Sequence, residues 1–207
     1  MPNARSRTHW FVLVCTAGLI LGVMTTICAT VYYVGFYRPK ATSQADDKQL
    51  EPAQSALRET RDTYQRWLKL SDAAMASVQN GDLEEAEQYA NELLLRAESH
   101  RTDWNYGNAI HKGHLVLGRV AFRRDDIQAA KTHLLAAGKT PGSPQLNSFG
   151  PNMTLAKELL ERGETQAPIA YFNLCAAFWQ MDGGRLQQWK KLAEQGLVPD
   201  FGANLRY

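Results

Sequence analysis

Residues 106–141 have the sequence YGNAIHKGHLVLGRVAFRRDDIQAAKTHLLAAGKTP, and two apolar stripes within this stretch decide the fold class. The first stripe comprises Tyr106, Ile110, His114, Leu117 and Ala121. The second comprises Ile127, Ala130, Leu134 and Ala137. Intervals of three and four residues are typical of helices that bury one face. The polar triplet Arg124-Asp125-Asp126 separates the stripes, so the stretch predicts a hairpin of two helices.

The same periodicity extends through the preceding part of the chain. One further stripe comprises Leu57, Tyr64, Trp67, Leu68, Met75 and Val78. Another comprises Leu83, Ala86, Ala90, Leu93, Leu94 and Ala97. No segment shows the alternation of β-branched and polar residues that is typical of strands. The sequence therefore predicts an all-α domain over residues 54–207.

The breaks between the stripes also recur. They are Asn80-Gly81-Asp82, Arg124-Asp125-Asp126 and Arg162-Gly163-Glu164, and they lie 44 and then 38 residues apart. Glycine and acidic residues at such positions end one helix and begin the next. Hairpins repeated at this period are typical of stacked arrays, in which each hairpin buries its apolar face on its neighbour.

The second hairpin resembles a tetratricopeptide repeat, a helix-turn-helix unit of 34 residues. Small residues stand where two helices must approach closely, and they are Gly118, Ala130 and Ala137. Leu117 and Leu134 take large apolar positions, and Pro141 lies near the closing proline, whereas His114 replaces the usual Trp and Ala121 the usual Tyr. The resemblance implies about three hairpins over residues 54–180. It also implies a groove that binds a protein or peptide partner, and the apolar face of residues 185–196 predicts a capping helix after the hairpins.

A run without Asp, Glu, Lys, Arg or His spans residues 10–37. A run of this length is sufficient to cross a bilayer as one helix, and its apolar core exceeds that of a cleaved signal peptide. We expect a basic tail at residues 1–9, a transmembrane helix at 10–37 and a polar linker at 38–53. The small residues Gly18, Gly22 and Thr26 recur at intervals of four, so the helix is either a plain anchor or a homodimer contact.

The charge distribution bears on orientation and on partners. All 21 acidic residues and 19 of the 23 basic residues follow residue 40, so the domain is nearly neutral. A nearly neutral surface argues against nucleic acid as a partner. The short basic tail before the apolar run favours export of the domain, although Arg38 and Lys40 oppose this orientation. We expect a single-pass protein of the cell inner membrane with an extracytoplasmic domain.

Residues 140–152, TPGSPQLNSFGPN, form the most unusual segment of the domain. Three prolines and two glycines predict a stiff loop without a helix. Its polar residues Gln145, Asn147, Ser148 and Asn152 provide groups that could bind a peptide backbone. The alternative is an ordered connector between the second and third hairpins.

A second candidate segment begins at Trp104 with the sequence WNYGNAIHKGH. Its members predicted to contact a partner are Trp104, Asn105, Asn108, His111 and His114. His111 and His114 lie one helical turn apart, so the alternative function is a metal- or small-molecule-binding sensor or enzyme that uses them and the 140–152 loop. A metal site needs at least a third ligand and supporting contacts, and none is identifiable. We therefore expect neither metal nor cofactor.

The sequence contains no recognisable catalytic motif, and we predict no catalytic residue. Cys175 is the only cysteine after residue 37 and lies in an apolar segment, which predicts a buried thiol. The leading hypothesis is therefore a membrane-tethered scaffold or adaptor that binds a protein or peptide partner at the membrane surface.

Overall fold

A computed structural model describes residues 63–206, of which 72% are helical and none lies in a strand. The eight α-helices of this part are α1 (Thr63–Asn80), α2 (Leu83–Ala97), α3 (Tyr106–Arg123), α4 (Ile127–Gly138), α5 (Pro144–Phe149), α6 (Thr154–Glu161), α7 (Gln166–Cys175) and α8 (Arg185–Glu194). Short 3-10 helices span Glu98–His100 and Gly202–Leu205. The all-α prediction is confirmed for the described residues.

The three predicted breaks are all turns between consecutive helices. Gly81 and Gly163 adopt φ angles of +89° and +84°, a region that glycine enters without steric cost. At the second break, Asp125 has a φ of +64°. The next residue, Asp126, accepts a hydrogen bond from the Ala129 N–H through its carboxylate at 2.9 Å and so caps α4.

Among the first four helices, neighbours along the chain pack together. Helix α2 lies between α1 and α3, α3 packs on α4, and α4 in turn packs mainly on α7 and less on α6. Gly118 allows one of these close approaches, because a Cβ atom there would lie 2.4 Å from the Leu155 side chain and 3.1 Å from the His133 Cβ. Close packing is therefore the reason that position 118 requires a small residue.

The C-terminal part contributes a large aromatic core. The Trp189 ring centroid lies 5.7 Å from that of Trp179 and 5.0 Å from that of Phe201. Leu186, Trp189 and Ala193 of α8 are buried, as expected for a capping helix, which ends two residues before the predicted boundary. Phe201 packs back on the core, whereas Val198 remains 40% exposed.

Helix α7 contains a proline near its start and a cysteine at its end. Pro168 is its third residue, within the first turn, where the missing N–H of proline has no intrahelical acceptor to lose. Cys175, its last residue, is fully buried. Burial raises the pKa of this thiol above its ordinary value, so the side chain behaves as a small apolar group.

Among residues 63–206, none of the helices has the length and apolar character needed to cross a membrane. The expected anchor at 10–37, including Gly18, Gly22 and Thr26, lies outside the described residues. The tail at 1–9, the linker at 38–53 and the first residues of the predicted domain lie outside them as well.

Candidate binding surface

The segment 140–152 is fastened to the beginning of α3 by its first residues. The Thr140 hydroxyl donates to the Gly107 carbonyl at 2.7 Å. A Cβ atom on Gly107 would lie 1.8 Å from the Gly142 carbonyl oxygen, so this contact requires glycine at position 107. The beginning of α3 and the segment therefore form one rigid unit.

The prediction that this segment lacks a helix is wrong, because residues 144–149 form α5. Ser143 has an extended backbone, and its hydroxyl accepts a hydrogen bond from the Leu146 N–H at 3.0 Å. Pro144 is the first helical residue, a position where proline is favourable since its N–H is not needed there. The Ser-Pro pair starts the helix instead of preventing it.

Asn108 organises the polar side chains around α5. Its amide nitrogen donates to the side-chain oxygen of Asn105 at 2.8 Å and to that of Gln145. Its amide oxygen accepts from the Ser143 hydroxyl at 2.6 Å. Asn108 is only 6% exposed, and both its amide hydrogens are used within the chain. It therefore holds α5 against α3, and its own polar groups are used within the chain.

The remaining predicted residues of the segment have separate roles. The Asn147 side chain accepts from the Gln180 N–H at 3.0 Å, which joins α5 to the chain after α7. Ser148 is exposed. Asn152 is buried, and its side chain accepts from the Thr154 N–H at 2.9 Å at the start of α6.

The His111 side chain lies in the core and is 1% exposed. Its Nδ1 lies 3.1 Å from the Ala137 carbonyl oxygen, and its Nε2 lies 3.2 Å from the Asn152 N–H. A carbonyl can only accept and an N–H can only donate, so the ring carries its proton on Nδ1 and is neutral. Burial lowers the pKa of His111 to about 4. Both nitrogens are occupied, which leaves none for a metal in this arrangement.

His114, one turn further along α3, points instead toward α4. Its Nδ1 lies 3.2 Å from the Nδ1 of His133, and both rings are partly buried. Desolvation lowers the pKa of each ring below the ordinary histidine value. The structure thus separates His111 from His114 and pairs His114 with a residue that the sequence pattern did not connect to it.

The chain after α8 holds the far end of the segment. The Asn204 side-chain amide donates to the carbonyls of Phe149 and Pro151 at 3.1 and 2.9 Å. The backbone carbonyl of Asn204 accepts a hydrogen bond from the Met153 N–H at 2.8 Å. Asn204 is 1% exposed, so these buried bonds fix the backbone of residues 149–153.

A surface pocket of about 240 Å³ lies between α3 and α5. Its lining residues are Asn108, Lys112, Gln145, Leu146, Phe149 and Gly150. Phe149 is 59% exposed at this pocket, and Lys112 pairs with Asp72 of α1 at 3.2 Å. Trp104, 54% exposed, precedes the Asn105 that joins the Asn108 network. We call the set Trp104, Lys112, Gln145 and Phe149 the α3–α5 surface.

The structure brings together part of the predicted site. Asn105, Asn108 and Gln145 form one network, and His111 joins Asn152 beneath it. Thr140, Ser143 and Lys112 were missed, although the Ser143-Pro144 pair is a recognisable helix-start signal. Within residues 63–206, no group of three or more His, Cys, Asp or Glu side chains could hold a metal ion.

Comparison of the chain with protein-family models, curated proteins and solved structures finds no match.

Proposed function

We propose that this protein is a membrane-tethered, tetratricopeptide-like scaffold that binds a protein or peptide segment on the α3–α5 surface. The observation that supports the proposal is a hydrogen-bonded polar framework beside the exposed Phe149 side chain. Asn108, Ser143 and Gln145 are bonded to one another, so the surface needs little further ordering when a partner binds. Trp104 and Phe149 offer the large, exposed aromatic area that commonly anchors protein interfaces.

The size of the pocket favours a peptide over a small-molecule ligand. Pockets that enclose a whole ligand usually have volumes of about 300–1,000 Å³. The pocket beside Phe149 has about 240 Å³ and fits one side chain of a larger partner better. The exposed Phe149 ring at this pocket favours a segment with an apolar anchor side chain.

The array and the expected anchor define the proposed mode of action. Consecutive hairpins α1–α2 and α3–α4 give a stiff support, and the charge-free run at 10–37 would confine it to the bilayer. Confinement raises the effective concentration of the surface toward membrane partners. The packing of consecutive hairpins supports the tetratricopeptide-like part of this proposal.

Photo-crosslinking in native membranes tests the binding surface. A photoreactive residue in place of Phe149 in the full chain should give a discrete protein adduct. The same residue at Leu95, which is 74% exposed on α2, is the matched control and should give none. Gln145→Ala should reduce the adduct at position 149 severalfold. Equal adducts from both positions, or none from position 149, would contradict the proposed surface.

Carbonate extraction tests the anchor independently. The full chain should stay in the membrane pellet, and a variant without residues 10–37 should move to the supernatant. Release of the full chain by carbonate would refute the membrane anchor. The crosslinking result would then test the binding surface alone.

A further inference from the structure

His114 on α3 and His133 on α4 face each other through the same ring nitrogen. Their Nδ1 atoms are 3.2 Å apart, the ring centroids are 5.4 Å apart, and the ring planes are tilted by 32°. Each ring is partly buried, so neither is enclosed in the core and neither is free to move as a fully exposed side chain would be. The two imidazoles form a preorganised pair.

The backbone fixes the separation of the pair. Gly118 lies one turn after His114, and the approach of α4 leaves only 3.1 Å between a Cβ built there and the His133 Cβ. On the other side of α3, Gly113 receives the Leu94 side chain, 2.8 Å from the position of a Cβ. Helix α3 is thus tightly packed on both sides, which holds His114 in register with His133.

The nitrogen separation suits a shared metal ion. Two nitrogens bound to one ion at 2.0–2.1 Å must lie about 3.3–3.4 Å apart in tetrahedral geometry, and about 2.8–3.0 Å apart as neighbouring ligands in square-planar geometry. The observed 3.2 Å lies between these two ranges. Without metal, the same nitrogens can share one proton in an N–H···N hydrogen bond. We propose that His114 and His133 form a two-histidine site for a divalent transition metal.

The ligand set indicates which metal binds best. Imidazole suits Cu²⁺, Ni²⁺ and Zn²⁺, whereas Mg²⁺ and Ca²⁺ require oxygen ligands. For a given nitrogen site, Cu²⁺ binds more tightly than Ni²⁺ or Zn²⁺. No third histidine, cysteine or carboxylate joins the pair among residues 63–206, so water or an external ligand completes the coordination. The site is therefore open and exchangeable, unlike a closed structural zinc site.

This site goes beyond the scaffold proposal and does not depend on it, because it lies between α3 and α4 and uses none of the four side chains of the α3–α5 surface.

Titration of the chelator-treated full chain in detergent with Cu²⁺, Zn²⁺ and Mg²⁺ tests the proposal. Cu²⁺ should raise the unfolding temperature and give an electron paramagnetic resonance spectrum of two coordinated nitrogens. Zn²⁺ should give a smaller rise and Mg²⁺ none. His114→Gln and His133→Gln, which keep a polar side chain at each position, should each weaken Cu²⁺ binding at least about tenfold.

His100→Gln is the matched control, since the His100 ring stacks on Trp67 of α1, whereas His114 and His133 contact each other. It should bind Cu²⁺ as the unaltered chain does. Circular dichroism establishes that each variant is folded. Unchanged Cu²⁺ binding in the double variant His114→Gln/His133→Gln would place the metal elsewhere and overturn the proposal. Absence of a two-nitrogen spectrum in the unaltered chain would show that the pair is only a hydrogen bond and would overturn it equally.

Discussion

His111 is the residue that most clearly changed its role between sequence and structure. The sequence suggested a ligand or a groove residue, because His111 shares a turn with His114. The structure makes it a buried strut, with one nitrogen on the Ala137 carbonyl and the other on the Asn152 N–H. These contacts join α3 to the end of α4 and to the residues before α6. No local pattern encodes them, since the partners lie 26 and 41 residues further along the chain.

The buried neutral state of His111 predicts an acid-sensitive fold. Its pKa is about 4 in the folded chain and about 6.5 when unfolded, so the unfolded state binds more protons between these values. The contribution is fully present above pH 6.5 and is lost as the pH falls to 4, by about 3 kcal/mol in total. Urea unfolding at pH 7.5, 6, 5 and 4 measures it.

His111→Gln provides the comparison for this prediction. The variant should be less stable at pH 7.5, because its amide cannot reproduce both bonds, yet its stability should fall less between pH 6.5 and 4. Other acid-sensitive groups, such as the Glu92 carboxylate whose pKa Arg66 lowers, act equally in both chains and cancel in the difference. A parallel decline of the two stabilities would contradict the assignment.

At the scale of elements, the sequence predicted well whatever depends on short-range periodicity. The turns at Gly81, Asp125 and Gly163 and the buried faces of α2, α4 and α8 follow from spacing alone. Helix α5 was missed because proline was taken as a helix breaker, whereas the preceding serine makes it a helix start. The Asn108–Gln145 bond was beyond prediction, since it depends on how α5 lies against α3 in space.

An ion pair joins α3 and α6, and we expect its loss to lower the stability of the fold measurably. Arg119 donates to Glu158 at 3.1 Å, and the two side chains are only 7% and 17% exposed. Glu158→Ala leaves the Arg119 charge without this partner in a dry site, so it should cost about 2–4 kcal/mol. Chemical denaturation followed by tryptophan fluorescence gives the value.

An exposed pair provides the matched control for this substitution. Glu98 pairs with Arg101 at 52% and 66% side-chain exposure, and Glu98→Ala should change stability by less than about 1 kcal/mol. The double variant Arg119→Met/Glu158→Leu should recover most of the loss, because the buried charge is removed with its partner. Equal losses for Glu98→Ala and Glu158→Ala would show that burial of the pair is unimportant.

At the scale of the whole described region, the core is divided between the first hairpin and the remainder. Buried side chains of α1 and α2 cluster with those of α3, whereas a larger cluster extends from α3 to Phe201. Stacked helical hairpins depend mainly on their nearest neighbours, so stability need not be uniform along them. The helical stripes predicted which helix faces are buried, but the aromatic contacts of Trp179, Trp189 and Phe201 required the three-dimensional path of the chain.

This division predicts that the first hairpin opens separately from the remainder. Leu93→Ala removes a fully buried side chain from the smaller cluster and should cost about 2–5 kcal/mol. Amide hydrogen exchange measured by mass spectrometry should accelerate in α1 and α2 and stay nearly unchanged in α7 and α8. Leu159→Ala, in the larger cluster, is the reciprocal control. Uniform acceleration in both variants would indicate a single cooperative unit.

The bonds from Asn204 to residues 149–153 also affect the order in which parts of the chain can fold during synthesis. The ribosome makes Phe149 and Pro151 more than fifty residues before Asn204, and at 5–20 residues per second that interval lasts about 3–10 seconds. During this interval α1 and α2 can already pack on α3, whereas the end of α5 still lacks the amide that holds it. The surface proposed to bind a partner is therefore completed only after Asn204 has been synthesised. A nascent chain can fold its first helices before this surface is able to bind.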